Sequence, residues 1–521
     1  MFNANNISGH ILTLLIFFPI LAAFFVLFLP DKKQTCFYKQ VALGAALIEF
    51  VFSLHLICHF VSESSYFQFS QFKHWLPEGT GIHYIVGVDG FSLILVLLTT
   101  SLTVISMLSA YRTVKTNVRG FLALLLILES AIVGSLVSLD VLLFYFFWEI
   151  SLIPVYFMIG VWGGKNRIYA TVKFFVYGVI GSLFMLVAFI YLYHMCFVIS
   201  GHYSSHLLDL YAISTQLPFS TQCWLFLAIA FAFAIKVPVF PFYTWLPDTY
   251  EQAPAIYTLM SGVILKIAAY GLVRFAICLF PQAAAQFATP ILILAVIGIL
   301  YGALIAWRQK NARRIMAFSS LSHLGFIIVG IFAFNLFALQ GALYQMVNHA
   351  VTAASLFILI NFLNENRGTF DIDKFGGLAK VLPWFAFFFV IAAMGSVALP
   401  STGSFVGEWL ILIGTFQTHP VLASAATLGV ITGPSYVLWM TFKILFGPIT
   451  QHENARISPL GKAEVVQLIC LSAAIFALGF ASPLVLNQTQ ATLSRISETM
   501  THQIPYISSL TLNGIEIEKV K

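Results

Sequence analysis

Six ionisable residues of this sequence stand deep inside apolar stretches, where water cannot readily solvate a charge. They are Glu149, Lys236, Lys266, His323, His349 and Glu408. A charged side chain at the centre of a membrane helix costs roughly 2.5–3.5 kcal/mol on insertion scales. We therefore expect all six side chains to face the protein interior and to have polar partners there.

The types of these residues indicate proton transfer. Burial disfavours the charged form of a lysine, whereas a nearby carboxylate favours it. A Lys–Glu pair of variable separation is therefore a protonation switch, and we predict such a pair from Glu149 and Lys236. Because histidine titrates near neutral pH, His323 and His349 suit relay positions between such groups.

Other buried polar residues carry a weaker signal. Glu49, Glu129 and Arg274 also fall in apolar stretches, and for them a structural role is favoured over a titrating one. A single histidine inside a membrane can equally be a hydrogen-bonding group of the structure, so that alternative stays open for His323 and His349.

The composition requires lipid as the main solvent. Of the 521 residues, 60% are apolar and 9% are charged, with a mean hydropathy of +0.92, whereas soluble domains carry about 25% charged residues. The net charge of +6 reflects the basic loops of a membrane protein, not nucleic-acid binding. The six cysteines form no CxxC pair, so we expect no metal site, iron–sulfur cluster, disulfide framework or other cofactor site in this chain.

A series of apolar segments of spanning length predicts an all-α polytopic membrane protein of about 14 transmembrane helices. The first segment is longer than a signal-peptide core, and we expect it to be retained. The predicted segments are 10–30, 41–62, 90–110, 120–138, 140–162, 172–199, 222–247, 254–280, 286–307, 314–335, 337–363, 384–416, 420–447 and 464–487.

The positions of the basic residues predict the orientation. With the N-terminus outside, the inside loops hold most of the 26 lysines and arginines. The outside keeps Lys73, Arg495, Lys519 and Lys521. A wrong number of segments would have placed the basic residues on both sides of the membrane. The uneven distribution therefore supports the count of 14, and we expect both termini to face away from the cytoplasm.

Two predicted segments are interrupted by proline. Segment seven contains Pro238 and Pro241, which should free the carbonyls of Ala234 and Val237 one turn earlier, and segment twelve contains Pro400 among glycines. A single proline usually only kinks a helix. Two breaks five segments apart instead predict two inverted five-helix repeats, segments 4–8 and 9–13, as in transporters. The predicted domains are 1–110, 111–281, 282–448 and 449–521.

Five motifs resemble one known family. They are FYFFWEISLIPVYFMIGVWGG, FPFYTWLPDTYEQAP, LKIAAYGLVRF, FSSLSHLGF and LPSTGSFVGEW. They closely resemble the antiporter-like, proton-pumping subunits of respiratory complex I, the NADH–quinone oxidoreductase, and among these the subunit M type. The similarity runs from about residue 88 to residue 416, and motifs spread over many helices are far more specific than one short motif.

The resemblance implies a proton-transfer role for the residues singled out above. It identifies Glu149 as the glutamate of the FWE motif, Lys236 as the lysine of the broken helix and Lys266 as the lysine of the LK–YG motif. His323 and His349 match the relay histidines, and Glu408 matches the terminal glutamate. The family uses such a hydrated axis to couple distant quinone reduction to proton transfer across the cell inner membrane.

The resemblance also implies partner subunits, and this chain departs from the family pattern at four positions. NADH, FMN, iron–sulfur clusters and quinone would bind to partner subunits, and the chain itself would contact lipid, other membrane subunits of complex I and neighbouring antiporter-like subunits. Tyr243 and Tyr250 stand where the family usually has histidine, and Asn311 and Arg313 stand where aspartate and lysine are common. Proton access near the seventh and eighth segments is therefore expected to depart from the family pattern.

Three alternatives remain open at this point. The chain could be a subunit of a multi-subunit Na+/H+ antiporter, a part of a related membrane hydrogenase or CO2-uptake complex, or a passive membrane scaffold. Glu408 in place of lysine, together with the M-type motifs, favours a complex I subunit over an antiporter subunit. The buried lysines and glutamates argue against a scaffold, because costly buried charges are rarely kept without use.

Overall fold

The computed structural model describes residues 9–29, 35–77, 79–449 and 451–502. Within these ranges, 13 helices are long and apolar enough to cross a membrane, and one broken helix completes a fourteenth crossing. Crossings 1 to 14 are, in order, Ile11–Phe28, Thr35–His59, Gly90–Thr113, Val118–Val137, Val141–Trp162, Arg167–Ser200, Phe219–Lys236 with Trp245–Gln252, Tyr257–Ile277, Pro281–Arg308, Ala312–Phe332, Leu336–Arg367, Pro383–Ser396 with Gly403–Thr418, Pro420–Leu445 and Lys462–Phe480. The predicted polytopic helical fold is confirmed.

Three crossings form the centre of the bundle. Crossings 8, 10 and 11 are buried along their whole apolar length, whereas crossings 6, 13 and 14 are mostly open to the outside of the bundle. Lipid is the solvent on that outer side, so the centre is where polar groups can be shielded from hydrocarbon. Lys266, His323 and His349 each lie on one of the three central crossings.

The two broken crossings share one pattern of backbone hydrogen bonds. In crossing 7, the amide of Val237 donates to Phe233 at 2.7 Å and that of Val239 to Ala234 at 2.9 Å. In crossing 12, Val397 donates to Ala393 at 3.0 Å and Leu399 donates to Met394 at 3.2 Å, with the same spacing. This agreement is what two repeats of one ancestral helix would give, as the inverted-repeat prediction requires.

One detail of the break in crossing 7 differs from the sequence prediction. The carbonyl of Ala234 is not free, because it accepts the bond from Val239. The neighbouring carbonyl of Ile235 accepts a hydrogen bond of 2.8 Å from the indole of Trp245. The chain therefore satisfies these carbonyls with its own donors across the break.

The division of the chain into the four domains stays a prediction.

Helix ends on one side of the bundle carry acid–base pairs that join the crossings, and we call this side the basic face. Arg112 at the end of crossing 3 pairs with Glu365 at 2.6 Å and with Glu464 at 2.5 Å. Lys173 pairs with Asp248 at 2.8 Å. Arg112 therefore joins crossing 3 to crossings 11 and 14 at this face, and Lys173 joins crossing 6 to crossing 7.

The opposite face carries elements that hydropathy does not predict. A β-hairpin is formed by β1 (Gln68–His74) and β2 (His83–Val88), a short helix spans Leu207–Ser214, and an amphipathic helix follows crossing 14 at Ser482–His502. The last helix is anchored to the start of crossing 3, because the amide of Gly90 donates to the hydroxyl of Thr492 at 3.0 Å.

Crossing 11 packs closely against the second half of crossing 12, so adding one methyl group at Gly341 is predicted to lower the stability of the protein. A Cβ atom on Gly341 would lie 2.6 Å from the amide nitrogen of Ile411 and 2.8 Å from the carbonyl oxygen of Gly407. Gly341→Ala should destabilise the protein by about 1–3 kcal/mol, because backbone atoms cannot make room cheaply. The measurement is the melting temperature of the purified membrane protein.

Gly433→Ala is the matched control, because it also places alanine in a long crossing but meets no atom within 4 Å. Equal melting temperatures for the two variants would contradict the close-packed interface.

Candidate proton-transfer site

The central crossings bring four of the six predicted residues into one connected group. Nζ of Lys266 lies 2.6 Å from Nδ1 of His349 and also donates to the carbonyl of Ser261. The rings of His349 and His323 lie 5.4 Å apart, centroid to centroid. Nδ1 of His323 lies 3.3 Å from a carboxylate oxygen of Glu408. We call these four residues, Lys266, His349, His323 and Glu408, the central axis.

The local backbone around Lys266 is unusual. Two π-helical stretches, Met260–Ile264 and Leu272–Ile277, flank the α-helical turn that carries the lysine. π-Helical segments are rare and occur frequently at functional sites. Lys266 is fully buried, so this widened helix places its ammonium group among protein atoms alone.

When Lys266 is protonated, hydrogen bonding determines which nitrogen of a neutral His349 carries the proton. The ammonium group of Lys266 has donors and no acceptor, so Nδ1 of His349 accepts from it. The proton of a neutral His349 then sits on Nε2, which faces the hydroxyl of Ser320 at 3.2 Å. Each side of the ring therefore has a partner through which a proton can enter or leave.

His323 has a donor and an acceptor near the same ring nitrogen. The carboxylate of Glu408 can accept a proton from Nδ1, whereas the amide nitrogen of Gln345 lies 3.5 Å away and can donate to an unprotonated Nδ1. Gln345 also donates to Glu408 at 3.1 Å. The site thus accommodates both states of His323, which is what a relay group needs. Sequence patterns missed Gln345, although a glutamine one helical turn before His349 in an apolar helix was a usable signal.

The other two predicted residues form a second group. Nζ of Lys236 donates to the hydroxyl of Ser151 at 3.1 Å and lies 3.6 Å from the ring centre of Trp148. Glu149 and Lys236 interact electrostatically, but no ion pair within 4.0 Å joins them in the described residues. The structure therefore holds Lys236 on the ring and hydroxyl beside Glu149 and not on the carboxylate itself.

Glu149 is less buried than the other five predicted residues, although one of its carboxyl oxygens, Oε1, is buried. Lys236, Lys266, His323, His349 and Glu408 are buried, but Glu149 is only half-buried. It shares crossing 5 with Phe146, Ile153 and Phe157, which are 45%, 50% and 47% exposed. One face of this helix is therefore open to the lipid side while the rest packs inside the bundle. Hydropathy cannot reveal which face is which, because lipid and a protein core are equally apolar.

The structure also places the remaining polar residues of the sequence analysis. Arg274 forms a buried ion pair with Asp89 at the face opposite the basic face, which accounts for it structurally. The hydroxyls of Tyr243 and Tyr301 lie 2.5 Å apart. The fully buried hydroxyl of Tyr250 has no hydrogen-bond partner among the described residues.

The two residues before His323 that depart from the family pattern, Asn311 and Arg313, also have structural roles. Asn311 caps crossing 10 by accepting from the backbone amides of Arg313 and Arg314. Arg313 is buried and donates to the carbonyl oxygens of Glu251 and Ala253. These two departures from the family pattern therefore fix the start of crossing 10 and do not reach the central axis.

Comparisons with known proteins agree with this architecture. Residues 138–432 match the family described as NADH:quinone oxidoreductase/Mrp antiporter, TM. NADH-quinone oxidoreductase subunit M of Rickettsia prowazekii is 37% identical over 480 residues, covering 92% of this chain and 96% of the relative.

Solved structures give the same result. A chain of respiratory complex I from Thermus thermophilus with bound NADH superposes with a TM-score of 0.84 at 28% identity, over 94% of this chain and 99% of that one. A chain of the Mrp complex from Dietzia sp. DQ12-45-1b has a TM-score of 0.81 at 19% identity, over 97% of this chain and 99% of that one, which is a likeness of fold. The resemblance to the subunit M type is confirmed, and the chain belongs to the NADH:quinone oxidoreductase/Mrp antiporter family of membrane proteins.

Proposed function

We propose that this chain is a membrane subunit of a proton-translocating NADH–quinone oxidoreductase and that it moves protons along the central axis. The observation that carries the proposal is the connected group Lys266, His349, His323 and Glu408, buried in the three central crossings and in crossing 12. Buried ionisable groups that contact one another inside a membrane mark proton relays.

The chain's own residues suggest the order of proton movement. Lys266 can pass a proton to Nδ1 of His349, and the Nε2 proton can then leave towards Ser320. His323 can deliver a proton to Glu408. Between Lys236 and Lys266 no direct hydrogen bond exists in the described residues, so ordered water is expected to link the two groups.

Partner subunits supply the redox chemistry in this proposal. NADH, FMN, iron–sulfur clusters and quinone bind there, and the chain lies in the cell inner membrane with its basic face towards the cytoplasm and both termini on the other side. Other membrane subunits, including neighbouring antiporter-like subunits, would contact the outer side of the bundle, where Phe146, Ile153 and Phe157 of crossing 5 are exposed.

The antiporter alternative has weaker support. The chain of the Mrp complex matches at 19% identity, whereas subunit M of Rickettsia prowazekii matches at 37% over nearly its whole length. Co-purification tests the assignment: NADH-oxidising subunits should accompany this chain from solubilised membranes. Recovery with antiporter subunits alone would refute it.

The first prediction concerns the Glu149/Lys236 group. Glu149→Gln and Lys236→Ala should each abolish proton pumping by the assembled complex and strongly reduce quinone reductase activity, because either change removes one partner of the protonation switch. Pumping is measured as acidification of inverted vesicles on NADH addition. Lys165→Ala, at an exposed lysine of the basic face, is the control and should pump normally. Normal pumping by both test variants would rule out the switch.

The second prediction concerns Gln345. Gln345→Leu keeps the size of the side chain but removes the amide that contacts both His323 and Glu408. We expect pumping to fall roughly 10- to 100-fold, since leaving a buried polar group without one of its hydrogen-bond partners costs about 1–3 kcal/mol. Gln340→Leu is the control, because Gln340 is half-buried on the same crossing. Equal pumping rates would exclude Gln345 from the relay.

A further inference from the structure

Two carboxyl groups outside the central axis are buried without partners. Glu49 on crossing 2 and Glu129 on crossing 4 are both 0% exposed. All four of their carboxyl oxygens lack a hydrogen-bond partner among the described residues. The two groups interact electrostatically with each other. A buried carboxylate is stable only when it is paired and hydrogen-bonded, so ionised groups are not what this environment fits.

Two hydroxyl groups stand near the pair: Ser53 lies one helical turn after Glu49 on crossing 2, and Thr103 of crossing 3 lies beside Glu129. The hydroxyl of Ser53 donates to the carbonyl of Phe50 at 2.7 Å, and that of Thr103, which lies beside Glu129, donates to the carbonyl of Thr99 at 3.0 Å. A hydroxyl has a single proton to donate. The Thr103 hydroxyl can therefore accept a proton from a protonated Glu129, and it can turn to donate to the ionised form of the same group.

A polar route leads from the pair towards the basic face. Thr99, Thr103, Ser106 and Ser109 are buried on crossing 3 at helical spacing, and we call them the hydroxyl stripe. Ser106 contacts the hydroxyl of Thr258 on crossing 8, and Ser109 accepts from the side chain of Gln467 at 3.1 Å.

The stripe ends at a cavity of about 410 Å³, lined by Ser109 together with Arg112, Glu365 and Glu464. This volume holds several water molecules, and the ionised side chains at its rim belong to the basic face. Protons therefore have a source at one end of the stripe and two acceptor groups at the other.

We propose that Glu49 and Glu129 form a proton-binding carboxyl pair that exchanges one proton with the basic face along the hydroxyl stripe. In the loaded state both groups are protonated. Release breaks one O–H bond, passes the proton to water in the cavity and leaves a carboxylate that shares the remaining proton. Two adjacent carboxylates cannot both be ionised at low cost, so the exchange is limited to one proton.

Within the part of the chain that the structure describes, no other side chain donates a hydrogen bond to the pair. Glu129 is the electrostatic partner of Glu49, and crossing 1 contributes no titratable side chain. Titratable side chains on the elements packed against crossings 2, 3 and 4, those crossings included, are Tyr38, Lys39, His55, Cys58, His59, His83, Tyr84, Tyr111, Arg112, Arg119, Tyr145, Glu149, Tyr156, Tyr257, Lys266, Tyr270, Tyr344, His349, Glu365, Arg367, Lys462, Glu464, Cys470, Arg495 and Glu498. None of them donates to either carboxyl group within the described residues.

Infrared difference spectroscopy of the purified complex tests the pair while the pH is stepped. We expect a protonated-carboxyl band that changes with pH and is lost in both Glu49→Gln and Glu129→Gln. The band should persist in Glu498→Gln, which changes an exposed carboxyl on the last helix. Melting temperatures should stay equal or rise, since replacing unpaired buried acids by a neutral isostere removes a desolvation cost.

A second pair of variants tests the route. Thr103→Val should keep the band but slow its hydrogen–deuterium exchange, and Thr103→Ser should restore the exchange rate. A band that survives both glutamine variants would overturn the proposal, as would a band that shifts with sodium and not with pH. Wild-type exchange in Thr103→Val would overturn the route. These readouts do not depend on pumping, so they stand apart from the test of the central axis.

Discussion

The rest of the structure depends on the need to solvate charge where there is no water. Hydrocarbon offers no hydrogen bonds, so every ionised or polar group at membrane depth must find its partners within the protein. The fold meets this need by surrounding crossings 8, 10 and 11 with the other crossings. Lys266 and His349 then solvate each other, and this contact would be impossible on any outward-facing helix.

The two breaks extend the same principle to the backbone. An interrupted helix inside a membrane leaves amide and carbonyl groups without their regular partners. Val239 and Leu399 bond five residues back, and the indole of Trp245 covers the carbonyl of Ile235. The breaks are therefore closed rather than loose. Lys236 is the last residue of the helix before the first break, and Glu408 lies in the second turn of the helix after the second break.

Local patterns predicted the crossings and the two breaks, because hydropathy and proline act through the nearest residues in the chain. They also predicted which residue types would carry the chemistry, from Glu149 to Glu408. Partners across the bundle could not be predicted in this way. The contact of Gln345 with His323 depends on the approach of crossings 10 and 11, and the half-buried position of Glu149 depends on the rotation of crossing 5. Lipid and protein core are equally apolar, so sequence carries little information on that rotation.

The contact between the ammonium group of Lys236 and the ring of Trp148 has a further consequence. The ring precedes Glu149 in the chain and lies 3.6 Å from the ammonium group, at a distance where a cation and an aromatic face attract by about 0.5–2 kcal/mol. In the proposed switch, Lys236 moves between this aromatic ring and the neighbouring carboxylate of Glu149. Transfer between them changes the electric field on the indole. The emission of Trp148, one of nine tryptophans in the chain, would therefore change with the proposed movement of the lysine.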